Sequence, residues 1–294
     1  MIRPWGRDAG RAGMAPKRLR DLLLVATAGF VLALAGFRAA PEARATDWLS
    51  GASEYGNNQD WHGLQAYGQR WTQAEPKNPL AWATLADAYC RLSQPDQSAE
   101  AFKKAAAITP NDSRPWEAMS GCYANAKQFE KAVYALQTAV KIAPNSGRVW
   151  LGFATQLQNL ATQQQMAAHA LVGGALPVQT KKNFEDSAQA YQRALQLGAG
   201  DPKEMWTDIG SDYYYALDYI PAMKAYMSAL QIDPHYSYAL NGLALSNGAI
   251  KSQCTRIHSS RTGDVVVVTK TWTCDAPTTA LVHQADGMVG GGSN

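Results

Sequence analysis

Large apolar residues recur along most of the chain at spacings of three and four, with polar positions between them, and this pattern predicts amphipathic helices. From Trp82 come Leu85-Ala86 and Tyr89, then Phe102 and Ala105; from Trp116 come Met119-Ser120 and Tyr123, then Ala132, Leu136 and Ala139. Each set reads as two helices. In each first helix a small residue, Ala86, Ser120, Ala154 or Gly210, stands beside the large ones and lets a second helix approach closely. The sets are also periodic: Trp48, Trp82, Trp116 and Trp150 lie 34 residues apart, as do Pro76, Pro110 and Pro144. Trp206 restarts the pattern with Ile209-Gly210, Tyr213, Ala222, Tyr226, Ala229 and Pro234, and the first unit runs from Trp48 through Tyr55, Leu64 and Trp71 to Pro76. A proline at the end of each second helix cannot continue it and turns the chain into the next unit. One hairpin cannot bury both faces of its helices, so neighbouring units must stack. The aromatic stripe is therefore expected to be core.

These positions resemble the tetratricopeptide repeat over about residues 46–250. The resemblance implies an all-α fold, a right-handed helical solenoid of about five helical hairpins. Leu240, Leu243 and Ala244 then begin one more helix, read as a closing cap. In repeats of this family that bind peptides, the concave face is lined by residues one, five, eight and nine places after the Trp position. Carried onto this chain, that selects Ser53, Gly56 and Asn57, then Asp87 and Arg91, then Glu117, Gly121 and Asn125. Later units contribute Leu151, Thr155, Gln158 and Asn159, then Thr207, Ser211, Tyr214 and Tyr215, and the cap adds Asn241. Asn57, Asn125 and Asn159 share one equivalent position, where an amide that both donates and accepts can grip the main chain of an extended ligand. Arg91 and Tyr215 depart from that pattern. The groove has no run of Lys or Arg to clamp an acidic motif, so the expected partner is a protein or extended peptide of neutral or mixed charge.

The period breaks in two places. Trp150 and Trp206 are 56 residues apart, which puts an insertion at about 161–182. Apolar and small residues continue through Leu157, Leu160, Ala161, Ala167, Ala168 and Leu171 to Gly173-Gly174, so the first helix of this unit is expected to run on to about Leu171. Two readings stay open: a protruding docking element, or padding folded back on its neighbours. Beyond residue 250 β-formers appear on both sides of Thr262-Gly263-Asp264, predicting a short C-terminal β-hairpin, with residues 287–294 as a flexible tail. A three-residue turn centred on Asp264 would set Cys254 opposite Cys274, Arg256 opposite Trp272 and His258 opposite Lys270. The two cysteines are then placed for a disulfide. For Cys90 and Cys122, on consecutive first helices, a second disulfide and two buried thiols both stay open.

Charge changes the picture at the start of the chain. Eight of the 27 Lys and Arg but only three of the 24 Asp and Glu fall in the first 45 residues, so the remainder carries a net charge of about −2. No basic surface argues for nucleic acid. The leader joins a cationic start through Arg20, an apolar run from Leu22 to Phe37 and Ala43-Arg44-Ala45 before Thr46, the three parts of a signal peptide cleaved after Ala45. The expected location is periplasmic or secreted. The alternative is an inner-membrane anchor through residues 22–37, facing the periplasm, in a spacer that self-associates.

Catalytic signatures are missing: there is no Gly-rich phosphate loop, no Gly-x-Ser-x-Gly elbow and no His-Glu-x-x-His. Cys254, His258, Cys274 and His283 match no common zinc module. The sequence therefore leads to an interaction scaffold without cofactor or metal, not to an enzyme.

Overall fold

The computed structural model describes residues 47–172, 176–262, 265–272 and 274–291. The leader lies outside the described residues, as do Gly173-Gly174 and the tip of the hairpin. From Trp48 onward the chain forms one compact unit. Its helices run in consecutive antiparallel pairs: α1 (Trp48–Asn57) with α2 (Trp61–Ala74), α3 (Pro79–Arg91) with α4 (Pro95–Ile108), and α5 (Arg114–Asn125) with α6 (Phe129–Ile142). Then come α7 (Gly147–Val172) with α8 (Val178–Gln196), α9 (Pro202–Tyr215) with α10 (Tyr219–Ile232), and α11 (Ser237–Cys254). Strands β1 (Thr255–Thr262) and β2 (Val265–Trp272) follow, and α12 (Ala276–Gly291) closes the chain.

The periodic residues do what their spacing requires. Ala86, Ala154 and Ser120 are buried where the paired helices cross, and a side chain at Gly210 would run into the ring of Tyr226. Leu85, Phe102, Met119 and Tyr123 form one continuous core from the second unit into the third. The repeat tryptophan also ties units together. Trp82 donates its indole Nε1–H to the carbonyl of Pro76 and Trp150 donates to Pro144, each at 2.8 Å, so a unit's first helix is keyed to the proline that ended the previous unit. The turns between paired helices repeat as well: Gln59, Ser93, Lys127 and Leu217 all adopt positive φ, the first three at the 34-residue interval.

The described part of the insertion packs on its own unit. Both helices of the fourth unit lengthen, α7 to 26 residues and α8 to 19, and they lie against each other. Helix α8 begins at Val178, earlier than the start near Asn183 that the pattern predicts, because its buried face continues backward through Ser187, Phe184, Asn183 and Thr180. Gln164 on α7 accepts from Asn183 Nδ2 at 2.9 Å and from Thr180 Oγ1 at 3.3 Å, and Phe184 is sealed between Ala161 and Ala216. Lys181 reaches the next turn, 2.9 Å from Asp218.

At the C-terminus the expectations need correction. The strands pair antiparallel with Thr255 opposite Trp272 and Thr262 opposite Val265. This register differs by one residue from the predicted one: Arg256 faces Thr271 and His258 faces Thr269. The paired strands end at Thr262 and resume at Val265, so the register does not fit the three-residue turn centred on Asp264, and the connection itself lies outside the described residues. Residues 276–291 are helix, so the expected flexible tail at 287–294 is helical through Gly291, and 292–294 lie outside the described residues. Asp275 caps it, accepting from the Thr278 N–H at 2.8 Å. Helix α12 packs Val282 and Ala285 beside Leu243 and Ile250, and Asp286 accepts from Asn247 Nδ2 at 2.8 Å and pairs with Lys251 at 2.6 Å. The capping helix α11 thus has a partner, and the hairpin joins the two in sequence.

Candidate functional site

The predicted groove residues all lie on the first helices, α1, α3, α5, α7, α9 and α11, and fall into two groups. Asn57 and Asn125, each the last residue of its helix, are exposed, as is Asn241. Their amides face solvent. Gly56, Gly121 and Gly248 occupy groove positions too, and a Cβ at any of them would meet nothing within 4 Å. These three glycines are therefore not demanded by packing, although each weakens its helix by up to about 1 kcal/mol relative to alanine.

The second group is engaged inside the protein. Asp87 pairs with Arg91 at 3.6 Å, and the Arg91 guanidinium lies 5.1 Å over the Trp61 ring. Desolvation pushes the Asp87 carboxyl above its ordinary value, against the pull of Arg91, yet half of its side chain stays open. Glu117 accepts from Ser113 Oγ at 2.8 Å and pairs with Arg148 of the next unit at 2.7 Å. Asn159 donates to Gln156 Oε1 at 3.3 Å, so the shared Asn position is free at its first two occurrences and tied at the third.

In the fourth and fifth units the groove positions meet a polar network. Gln158 Nε2 donates to Asp212 Oδ1 at 2.9 Å, Tyr191 Oη donates to Gln158 Oε1 at 3.3 Å, and Tyr191 Oη stands 3.4 Å from Thr155 Oγ1. Asp212 has no exposed surface, its Oδ2 has no hydrogen-bond partner among the described residues, and burial pushes its carboxyl well above the ordinary carboxylate range. Ser211 is bound to Thr207 O at 2.9 Å and stands 3.1 Å from Tyr226 Oη. Tyr215 stacks on Phe184 at 5.6 Å and meets the edge of Tyr214 at 5.6 Å, joining the groove to the inserted helix.

Sequence reasoning missed Tyr191, Asp212 and Phe184, because two sit on second helices and the third lies outside the groove positions. A signal for Asp212 existed: an acid stands six places after Trp206, where the second and third units place Ala88 and Cys122. Among the described residues no group of three or more His, Cys, Asp and Glu could hold a metal ion. Both cysteine pairs are at bonding distance, Cys90 with Cys122 and Cys254 with Cys274, with Cα atoms 5.5 Å and 5.1 Å apart.

The tetratricopeptide-repeat profile matches residues 80–112. No curated protein matches the chain. Among solved structures, the C-terminal part of a TPR repeat-containing protein from Cytophaga hutchinsonii is similar, 14% identical over 82% of this chain and 80% of that one, with a TM-score of 0.50. MamA from Desulfovibrio magneticus RS-1 is 15% identical over 67% of this chain and 99% of that one, with a TM-score of 0.48. YrrB, described as a TPR protein with an unusual peptide-binding site, is 14% identical over 67% and 90%, with a TM-score of 0.47. These likenesses are of fold. The 34-residue period, the paired helices that it builds and the profile match over residues 80–112 together show a tetratricopeptide-repeat fold.

Proposed function

We infer that the chain is an exported interaction scaffold of the bacterial envelope, an assembly factor or adaptor that holds a protein or extended peptide along its first helices. The observation that carries this reading is the unspent surface at repeat-equivalent positions. Exposed amides at Asn57 and Asn125 stand beside glycines with open space at 56 and 121. An amide can satisfy both the N–H and the C=O of an extended main chain, and a missing side chain leaves room for that chain to approach. The engaged residues, Glu117, Gln158 and Ser211, are supports that fix the spacing of the units. Binding without catalysis is the function such a surface suits.

Export is part of the proposal and rests on the leader, residues 1–45, with its cationic start, its apolar run and Ala43-Arg44-Ala45. The test uses the full chain, expressed with its own leader and affinity-captured from envelope extract beside the Asn57→Ala/Asn125→Ala variant. The expected result is a mature chain beginning at Thr46 and a specific protein that the variant loses while its helical circular dichroism is unchanged. Identical capture by both forms would move the binding site elsewhere. Unprocessed mass with salt-resistant membrane retention would instead favour a tethered spacer.

A further inference from the structure

One junction recurs between successive units, and it carries different chemistry at each recurrence. The residue eight places after one repeat tryptophan meets the residue six places after the next. Between the fourth and fifth units these are Gln158 and Asp212, hydrogen-bonded at 2.9 Å. Between the second and third they are Cys90 and Cys122, with Cα atoms 5.5 Å apart. The sixth-place residue is buried at Ala88, Cys122 and Asp212 and half-buried at Gln156, but it is exposed in the first unit, at Glu54. At the two remaining junctions the eighth place holds Gly56 or Ala124, neither of which can form a side-chain link. Linked and unlinked junctions thus alternate along the groove.

We propose that Cys90–Cys122 is a redox-addressed lock on the groove. Oxidised, it fixes the first helices of the second and third units at one spacing, and with them Asp87 and Arg91 on one side and Gly121 and Asn125 on the other. Reduced, it releases that junction while the stacked core keeps the helices folded. The chemical partner is a dithiol. Its thiolate attacks Sγ of half-buried Cys90, the S–S bond breaks and Cys122, only 4% exposed, leaves as a thiolate that takes up a proton. The second sulfur of the dithiol then attacks the mixed disulfide. This leaves two cysteine thiols and one oxidised dithiol. The functional consequence rests on the groove reading above, but the lock itself is testable without a ligand.

The test is hydrogen exchange, followed by mass spectrometry, on the full chain carrying Cys254→Ala/Cys274→Ala, with dithiothreitol as the dithiol. The isolated protein is expected to hold no alkylatable thiol. Reduction should speed amide exchange at least tenfold in α3 and α5 while leaving α9 and α10 unchanged. Free thiols in the protein as isolated, unchanged exchange after verified reduction, or an equal rise in every unit would each overturn the proposal. Should that variant not fold, the wild-type hairpin cysteines are kept and Cys90→Ala/Cys122→Ala is compared with the parent, with the same local rise expected. Singly, Cys122→Ala should take up glutathione at Cys90 from oxidised glutathione, and Cys90→Ala should leave Cys122 unmodified; the reverse pattern overturns attack at Cys90. A confirmed lock with no captured partner would sink the groove reading alone.

Discussion

Leu217 stands in the left-handed region at φ 65°, the conformation that its counterparts Gln59, Ser93 and Lys127 also adopt, with 52% of its surface exposed. For an L-residue this conformation costs about 1–2 kcal/mol, and glycine avoids it at an entropic cost of about 0.5–1 kcal/mol. Leu217→Gly should therefore raise stability by about 0.5–1 kcal/mol, read from the urea midpoint at unchanged slope. Asp212 makes the opposite kind of statement. Its folded pKa is raised, so the folded state holds a proton that the unfolded state releases from about pH 4 upward. Stability contributed by the neutral carboxyl is complete below that pH and falls as pH rises toward the folded value. Asp212→Asn keeps the acceptor for Gln158, and it should be more stable than the parent at pH 7, with the difference vanishing near pH 4 in paired denaturation curves. Neither residue belongs to the apolar stripe from which the helices are read. An acid on an apolar face and a leucine at a turn are legible as oddities in the sequence, but their burial and backbone geometry depend on neighbours from other units.

The helices themselves were largely readable, because a stripe at spacings of three and four needs no tertiary information. Their ends were not. Helix α8 starts early because Thr180 and Asn183 find Gln164 across the hairpin, a partner that no local rule supplies. Helix α12 was missed because its glycines outweigh a modest apolar face, although Asp275 ahead of Pro277 is a start signal of the ordinary kind. The inserted pair is held by Phe184, which is fully buried between α7 and α9. Phe184→Ala should cost about 3–5 kcal/mol and loosen α8 before the other helices. Thermal unfolding checks the first expectation, and protease cleavage confined to the lengthened hairpin checks the second.

On the scale of the whole molecule, order passes from unit to unit through small, repeated contacts. Trp150→Phe removes the indole donor to Pro144 while keeping a ring in the core, and a loss of about 0.5–1.5 kcal/mol is expected for one hydrogen bond. Chemical denaturation of that variant beside Trp82→Phe, which breaks the matching bond to Pro76, should give losses of similar size, since the repeat makes them one interaction seen twice. The solenoid was legible because it is a sum of such local terms. The groove was legible only as a set of positions. Which of them face a partner and which face each other, as Gln158 and Asp212 do, depends on how far each unit turns relative to the last.

Cys254 and Cys274 bring the chain back to within 5.1 Å of where it left the last pair of helices, and α12 then docks on α11 as though nothing had intervened. The nineteen-residue excursion between them is closed at its base by that pair. Replacing residues 255–273 by a short Gly-Ser linker should therefore leave the helical circular dichroism and the thermal midpoint of the repeat helices unchanged. In evolutionary terms such a closed excursion is a cassette, added at the end of a repeating frame without a change in the frame's own spacing.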